Sequence, residues 1–324
     1  MRLLLSMGLK PGGTVAEPLR PRLRWLDTTT GAVDDAWVGD VPQGLHPGPD
    51  EHAELTGAHR VGQRLVQTTR AEVLWFDLPS LTLTERFSHP LLYDVHDALP
   101  LPDGGVAVTA TGHDSVLVFD RDRQLVRHHW LGLGSFADRY AGVDDFRRVP
   151  FDRYKPHAAH PNHLFLLDDA LYATCLALGR AVCLEDRHRD LVIPGGAPHD
   201  GRWIDGLLWF TTVDGQVSAW DPRSGLWETQ LTVVDDEPGI PGWCRGVEVV
   251  GDRVFVGMTT LRDSAWREVG RRLIRGVEGM KRPTRVVELD RRTGRVVANW
   301  PVAGPGDGTL YALHAFPSDQ ADPA

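Results

Sequence analysis

Short runs of alternating apolar and polar residues, broken at close intervals by Asp, Gly and Pro, fill this chain. Period-two runs bounded by turn residues predict strands rather than helices. One arrangement recurs: an apolar strand ending in an acidic residue, often followed by a turn. It appears as Trp25-Leu26-Asp27 with Thr30-Gly31, Trp75-Phe76-Asp77, Val118-Phe119-Asp120, Cys183-Leu184-Glu185-Asp186, Ala219-Trp220-Asp221 with Ser224-Gly225, and Glu288-Leu289-Asp290 with Thr293-Gly294. Taking the acidic residue as marker, with Asp186 for the fourth copy, the gaps are 50, 43, 66, 35 and 69 residues. The two longest hold insertions, about 135–158 and 262–283. The others lie near the ~40–50 residues of a four-stranded propeller blade.

Most markers follow a second element, in which two strands flank an acidic or glycine turn. Asp103-Gly104-Gly105, Asp168-Asp169, Asp205-Gly206 and Gly251-Asp252 are such turns, and they are hairpin signals between apolar runs. Strand, tight turn, strand, loop, strand with marker, turn, strand makes one blade. Six copies predict an all-β fold, a six-bladed β-propeller over 1–324 as a single domain. Residues 311–316 read as an inner strand without successors and 22–38 as later strands, so both termini should close one blade. A β-sandwich has no use for six markers. The apolar start at Met1–Leu5 ends by Gly8, too soon for a signal segment, and reads as a first strand.

Composition narrows the setting. With 42% hydrophobic and 24% charged residues the chain is ordinary globular material, and no apolar run reaches the roughly 18 residues of a membrane span. A net charge of −9 argues against nucleic acid and anionic membranes as partners. All basic residues but Lys10, Lys155 and Lys281 are arginine, which suits a GC-rich bacterial genome. Three cysteines without CxxC spacing give no disulfide framework, and a reducing, cytoplasmic location is expected.

In a propeller the start of each inner strand lines one mouth of the axial channel. At those positions stand His52 with Glu54, His96-Asp97, His160-Pro161-Asn162-His163, His199-Asp200, Arg245-Gly246 and His314. Five histidines and an arginine share one register in a chain with only 14 histidines. Singly, each His has a plain structural use as a hydrogen-bonder between blades; together they suggest a metal or a polar ligand on the axis. By the period-two rule His163 should point away and sit between blades. His113, His128, His129, His157 and His188 fall outside the register and read as surface or loop residues. Arg245 can clamp a carboxylate or an enolate-like charge, or else bridge two blades. The aromatic insertion before His160, with Phe136, Tyr140, Phe146, Phe151 and Tyr154, reads as a lid or substrate wall, or alternatively an oligomer contact. The second insertion suggests a basic helix over 265–277. No nucleophile elbow, phosphate loop or dinucleotide fingerprint occurs.

The succession Asp94-Val95-His96-Asp97, His160-Pro161-Asn162, Pro198-His199 with Arg202, Arg245-Gly246 and Val256-Gly257-Met258-Thr259 with Arg262 resembles an uncharacterised bacterial family of propeller-like proteins. Some of its members carry tetratricopeptide-repeat or glycosyltransferase regions. The resemblance covers about residues 90–300 and departs at Asn162-His163, where the family has Asn-Gly, and at Asp200-Gly201, where it has Ser-Pro. It implies the fold and brings no assigned reaction. The axial histidines are also similar in arrangement to the four-His iron centre of carotenoid-cleaving propellers, an analogy only, in a much shorter chain.

Together these features lead us to expect a metal-dependent enzyme acting on a small organic molecule in the axial pocket, by proton abstraction of lyase or isomerase type. His96, His160 and His199 are the expected ligands of a divalent ion, Fe(II) or Zn, with His314 and His52 as further candidates. Asp97, Asp200 and Arg245 are the expected catalytic groups; Asn162, Arg202, Arg245 and Tyr154 the expected substrate contacts. The alternatives are a non-haem iron oxygenase with a multi-His centre and a non-catalytic ligand- or protein-binding propeller.

Overall fold

Six four-stranded antiparallel sheets stand around one axis in the computed structural model, which describes residues 1–9, 20–40, 54–150, 153–233, 242–260, 282–304 and 308–316. The six-bladed propeller is as expected. Blade 1 takes its inner strand, Gly308–Phe316, from the end of the chain and the next three from its start. The two ends meet in an antiparallel ladder running from Arg2 opposite Phe316 to Leu9 opposite Gly308. The inner strands of blades 2 to 6 are Ala58–Val61, Val95–Pro100, Pro161–Leu167, Arg202–Ile204 and Trp243–Val250.

Each marker acid ends the third strand of its blade or follows it within three residues, and the local chemistry shows why. Asp27, Asp120, Asp186, Asp221 and Asp290 each accept, on Oδ1, backbone N–H groups from residues two or more positions on. A side chain that satisfies the next turn's amides fixes where the strand stops. Burial follows position in the blade. Val106–Ala110 and Ser115–Phe119, covered on both faces, are buried throughout, whereas the outer strands Thr82–Phe87 and Leu226–Thr232 alternate exposed and half-buried residues. One apolar cluster fills each of the six gaps between neighbouring sheets. In the gap between blades 6 and 1, Phe255 and Val286 meet Leu3, Leu5 and Leu313.

The inner strands are irregular where they approach the axis. Each of four carries one residue too many for its neighbour: His96 and Asp97 together face Thr109, and Asn162, Gly246 and Tyr311 are inserted in their own ladders. Such bulges re-aim side chains. Gly246 shows the crowding, since its φ is +73° and a Cβ there would come within 3.2 Å of Tyr311 O and Ala312 Cα.

The first insertion has its own small core. It opens with a one-turn helix, Phe136–Arg139, and buries Tyr140 and Phe146 against Tyr93 and His113. Phe151 and the expected basic helix at 265–277 lie outside the described residues.

Closure by the chain's two ends makes a clear stability prediction. Leu313→Ala, at a wholly buried position, should cost about 2–5 kcal/mol through the cavity it opens. Leu226→Ala, on an exposed outer strand, should stay within about 0.5 kcal/mol. Urea unfolding midpoints of the two variants measure the difference.

Candidate functional site

The polar residues of the inner strands form two tiers on the axis. The outer tier is built on Arg70, in the turn after the second strand of blade 2. Its guanidinium bridges the Glu54 and Asp94 carboxylates, and all three side chains are buried. Glu54 also accepts from Thr309 Oγ1 at 2.6 Å and from the Tyr311 hydroxyl at 3.2 Å. Burial alone would lower the Arg70 pKa and raise that of Asp94, but their mutual attraction outweighs it, so Arg70 is held above and Asp94 below its ordinary value. Beside this pair stands His96, its Nε2 3.8 Å from Asp94 Oδ1, and beyond it His160 and His199. The His96 ring centroid lies 5.1 Å from that of His160, 6.5 Å from that of His199 and 6.0 Å from that of Tyr311. His96 Nδ1 meets Asn162 Oδ1 at 2.8 Å, and His160 Nδ1 meets His157 Nδ1 at 2.7 Å.

Burial drives these imidazoles neutral. It takes His96 down to about 3, against the pull of Asp94, and His160 well below its ordinary value. His199 is lowered by burial too, against Asp200. Among the described residues neither ring nitrogen of His199 has a hydrogen-bond partner; its Nδ1 stands 3.9 Å from Asp200 Oδ1. Asp200 accepts from Thr211 Oγ1 and, at 2.9 Å, from Gly246 N. Burial would raise its carboxyl, yet the nearby His199 and His163 rings and the Thr211 hydroxyl outweigh that and hold it at about 2. Arg245 completes the tier: 6% exposed, its Cζ lies 4.4 Å above the Tyr311 ring and 4.8 Å from that of Trp243. It has no carboxylate partner among the described residues.

The inner tier holds His59, Asp97, His163, Arg202, Glu248 and His314. Asp97 Oδ2 is hydrogen-bonded to His59 Nε2 at 2.8 Å, accepts from the Leu164 amide at 2.8 Å and lies 3.2 Å from His163 Nδ1. Burial lowers His163 to about 4, against Asp97. Arg202 donates to the Val247 and Leu313 carbonyls at 2.6 and 2.7 Å and contacts Glu248 at 3.2 Å and His314 Nδ1 at 2.9 Å, so the guanidinium ties blade 5 to blades 6 and 1.

Several expectations need correction. His314 does not share the outer register: Tyr311, three residues earlier and carried by the bulge, takes that place. His163 is not packed between blades but meets His59 from a non-neighbouring blade, because the bulge at Asn162 breaks the period of two. His113 is no surface residue; it is fully buried under the insertion's aromatics. His157 lies half-buried against His160, while His128 and His188 are exposed. Tyr154 packs against Tyr93 and Tyr140 in the insertion core. His52 lies outside the described residues. Among the described residues, the group that brings three candidate metal ligands together is His59, Asp97 and His163, not His96, His160 and His199. Arg70, Tyr311, His59 and Asp114 escaped the sequence reading. Asp114 accepts the amides of Ala158, Ala159 and His160 at 2.7–3.0 Å, and so holds His160 at a left-handed φ of 56°. The pairing of Asp94 with a remote Arg has no local signal, but Asp114 directly follows a noted histidine.

No family model and no curated protein matches the chain. Among solved structures it is similar to a protein of unknown function from Bacteroides caccae, at 13% identity over 96% of this chain and 97% of that one, with a TM-score of 0.58. That likeness shows the fold alone. It agrees with the motif resemblance to a propeller family of unassigned function. A streptogramin B lyase (10% identity, 94% and 89% covered, TM-score 0.49) and virginiamycin B lyase from Staphylococcus aureus (12%, 96% and 98%, 0.49) are also similar. Among the described residues no helix is long and apolar enough to cross a membrane.

The Arg70 bridge should be the most costly polar contact to cut. Arg70→Met takes the guanidinium from between two buried carboxylates and should lower stability at pH 7 by about 3–5 kcal/mol. Because Asp94 is held below its ordinary value, the wild type's gain is present at neutral pH and lost as pH falls below about 4. Denaturation at pH 7 and pH 3.5 should therefore show the gap between variant and wild type shrinking in acid.

Proposed function

We propose that the outer tier is a proton-transfer site, of lyase or isomerase type, acting on a small organic anion. One observation carries this reading. Arg245 is a buried guanidinium without a carboxylate partner among the described residues, in the same tier as His199, whose two ring nitrogens are unbonded. A buried charge left unpaired is costly, and a substrate carboxylate supplies the counter-charge through two parallel N–H···O bonds. His199 shares the Tyr311 ring with Arg245 and is the base for a C–H beside that carboxylate. The neutral imidazole takes the proton; the electron pair moves onto the substrate oxygen, where Arg245 stabilises it. Asp200 favours the imidazolium that forms. Return of the proton to the opposite face of the same carbon, or to the far end of an adjoining conjugated double bond, completes isomerisation; departure of a β-substituent with its bonding electrons completes elimination. Asn162 fixes the His96 ring, and the packed insertion walls the mouth.

Solvent exchange tests this even while the substrate is unidentified. Incubated in D2O with a panel of small carboxylic acids, the protein should speed C–H to C–D exchange in at least one. His199→Gln should slow that exchange about 100-fold or more while the acid still binds. Arg245→Gln should chiefly raise KM. Since burial holds His199 below its ordinary 6.5, kcat/KM should stay level from pH 7 to below 6.5 before its acid limb falls. Acids that bind with no exchange above the buffer rate would make this a binding module, and binding by none of them would overturn the reading.

A further inference from the structure

We infer that the inner tier is a binding site for a divalent transition-metal ion, with His59, Asp97 and His163 as its ligands. The inference is independent of proton transfer in the outer tier. The three residues come from the inner strands of blades 2, 3 and 4. Blades 2 and 4 are not neighbours, so the His59 and His163 rings, 4.8 Å apart, meet only by reaching in toward the axis. Their candidate ligand atoms all lie within 4.8 Å of one another. His59 Nε2 and His163 Nδ1 stand 2.8 and 3.2 Å from Asp97 Oδ2. Ligand atoms about 2.1 Å from one ion stand roughly 3–3.5 Å from each other, so small rotations of the rings suffice to seat it.

Two further observations favour an ion over a simple hydrogen-bonded strut. Asp97 Oδ1 is buried without a hydrogen-bond partner among the described residues, in a side chain that is wholly buried, and so has a lone pair free for an ion. A hydrogen-bonded strut would spend that oxygen as well. The carboxylate is also held in place from outside the group. The Leu164 amide donates to it at 2.8 Å, and Gly57 lets it approach so closely that a Cβ there would lie 2.3 Å from Asp97 Oδ1. Support of that kind orients metal ligands. Entry of the ion requires each imidazole to turn a lone pair inward and carry its proton on the other ring nitrogen. Two imidazoles and one carboxylate suit Zn2+, Fe2+ or Co2+ rather than Mg2+ or Ca2+, and three protein ligands leave a position open.

Metal titration of the whole chain decides the matter. Protein stripped with a chelator should take up one Zn2+ per chain, and Co2+ in its place should give the visible absorption of nitrogen-coordinated cobalt. His59→Gln and His163→Gln should each reduce Zn2+ affinity at least tenfold, and Zn2+ should raise the melting temperature of the wild type but not of His163→Gln. His96→Ala and His160→Ala should bind as the wild type does. If Asp97→Asn does not fold, the two glutamine variants carry the test. Absence of stoichiometric uptake would overturn the inference, as would uptake kept in both glutamine variants or lost in His96→Ala or His160→Ala. None of these outcomes bears on His199 and Arg245, because the readout is ion content rather than turnover.

Discussion

One extra residue near the axis in each of four inner strands is the constraint on which the site depends. A regular ladder would send alternate side chains into the gaps between blades, where apolar clusters already fill the space. The bulges at His96-Asp97, Asn162, Gly246 and Tyr311 break that alternation. Polar residues close in sequence can then both face the channel, at different depths. His96 joins the outer tier while Asp97 joins the inner, and Asn162 and His163 divide in the same way. An unsatisfied ladder position is a modest cost; it is offset by a channel lined with polar groups from all six blades.

The two tiers differ in how they handle buried charge. In the outer, Arg70 takes two carboxylates, and the imidazoles beside them stay neutral through desolvation. In the inner, Arg202 spends its guanidinium on two main-chain carbonyls, a carboxylate and an imidazole, and so acts as a strut between blades. Arg245 belongs to neither pattern: it leans on aromatic faces, which compensate only part of a desolvated charge. Of the three arginines, Arg245 is the one without a carboxylate partner among the described residues.

How much of this was legible in the sequence follows from how local each cause is. The blade count was readable because an aspartate capping its own turn leaves a mark within five residues. The alignment of His96, His160, His199 and Arg245 was readable because each precedes or opens an inner strand. The depth of His163 and His314 was not, since a bulge is set by the partner strand and shifts everything after it. Arg70 and His59 were missed for another reason: their partners lie on other strands or other blades. His113 looked peripheral because the aromatics that cover it arrive more than twenty residues later.

The ladder between the first and last strands bears on how the protein is made. Every other sheet draws its four strands from a continuous stretch of chain and can assemble as soon as that stretch leaves the ribosome. Blade 1 cannot. Its strand Arg2–Leu9 waits, with one backbone edge unpaired, until residues 308–316 are synthesised. Contacts of such long sequence separation form late, and an open strand edge invites pairing with other chains in the meantime. The ring therefore cannot close before residues 308–316 are made, and the edge of Arg2–Leu9 is open to intermolecular pairing until then.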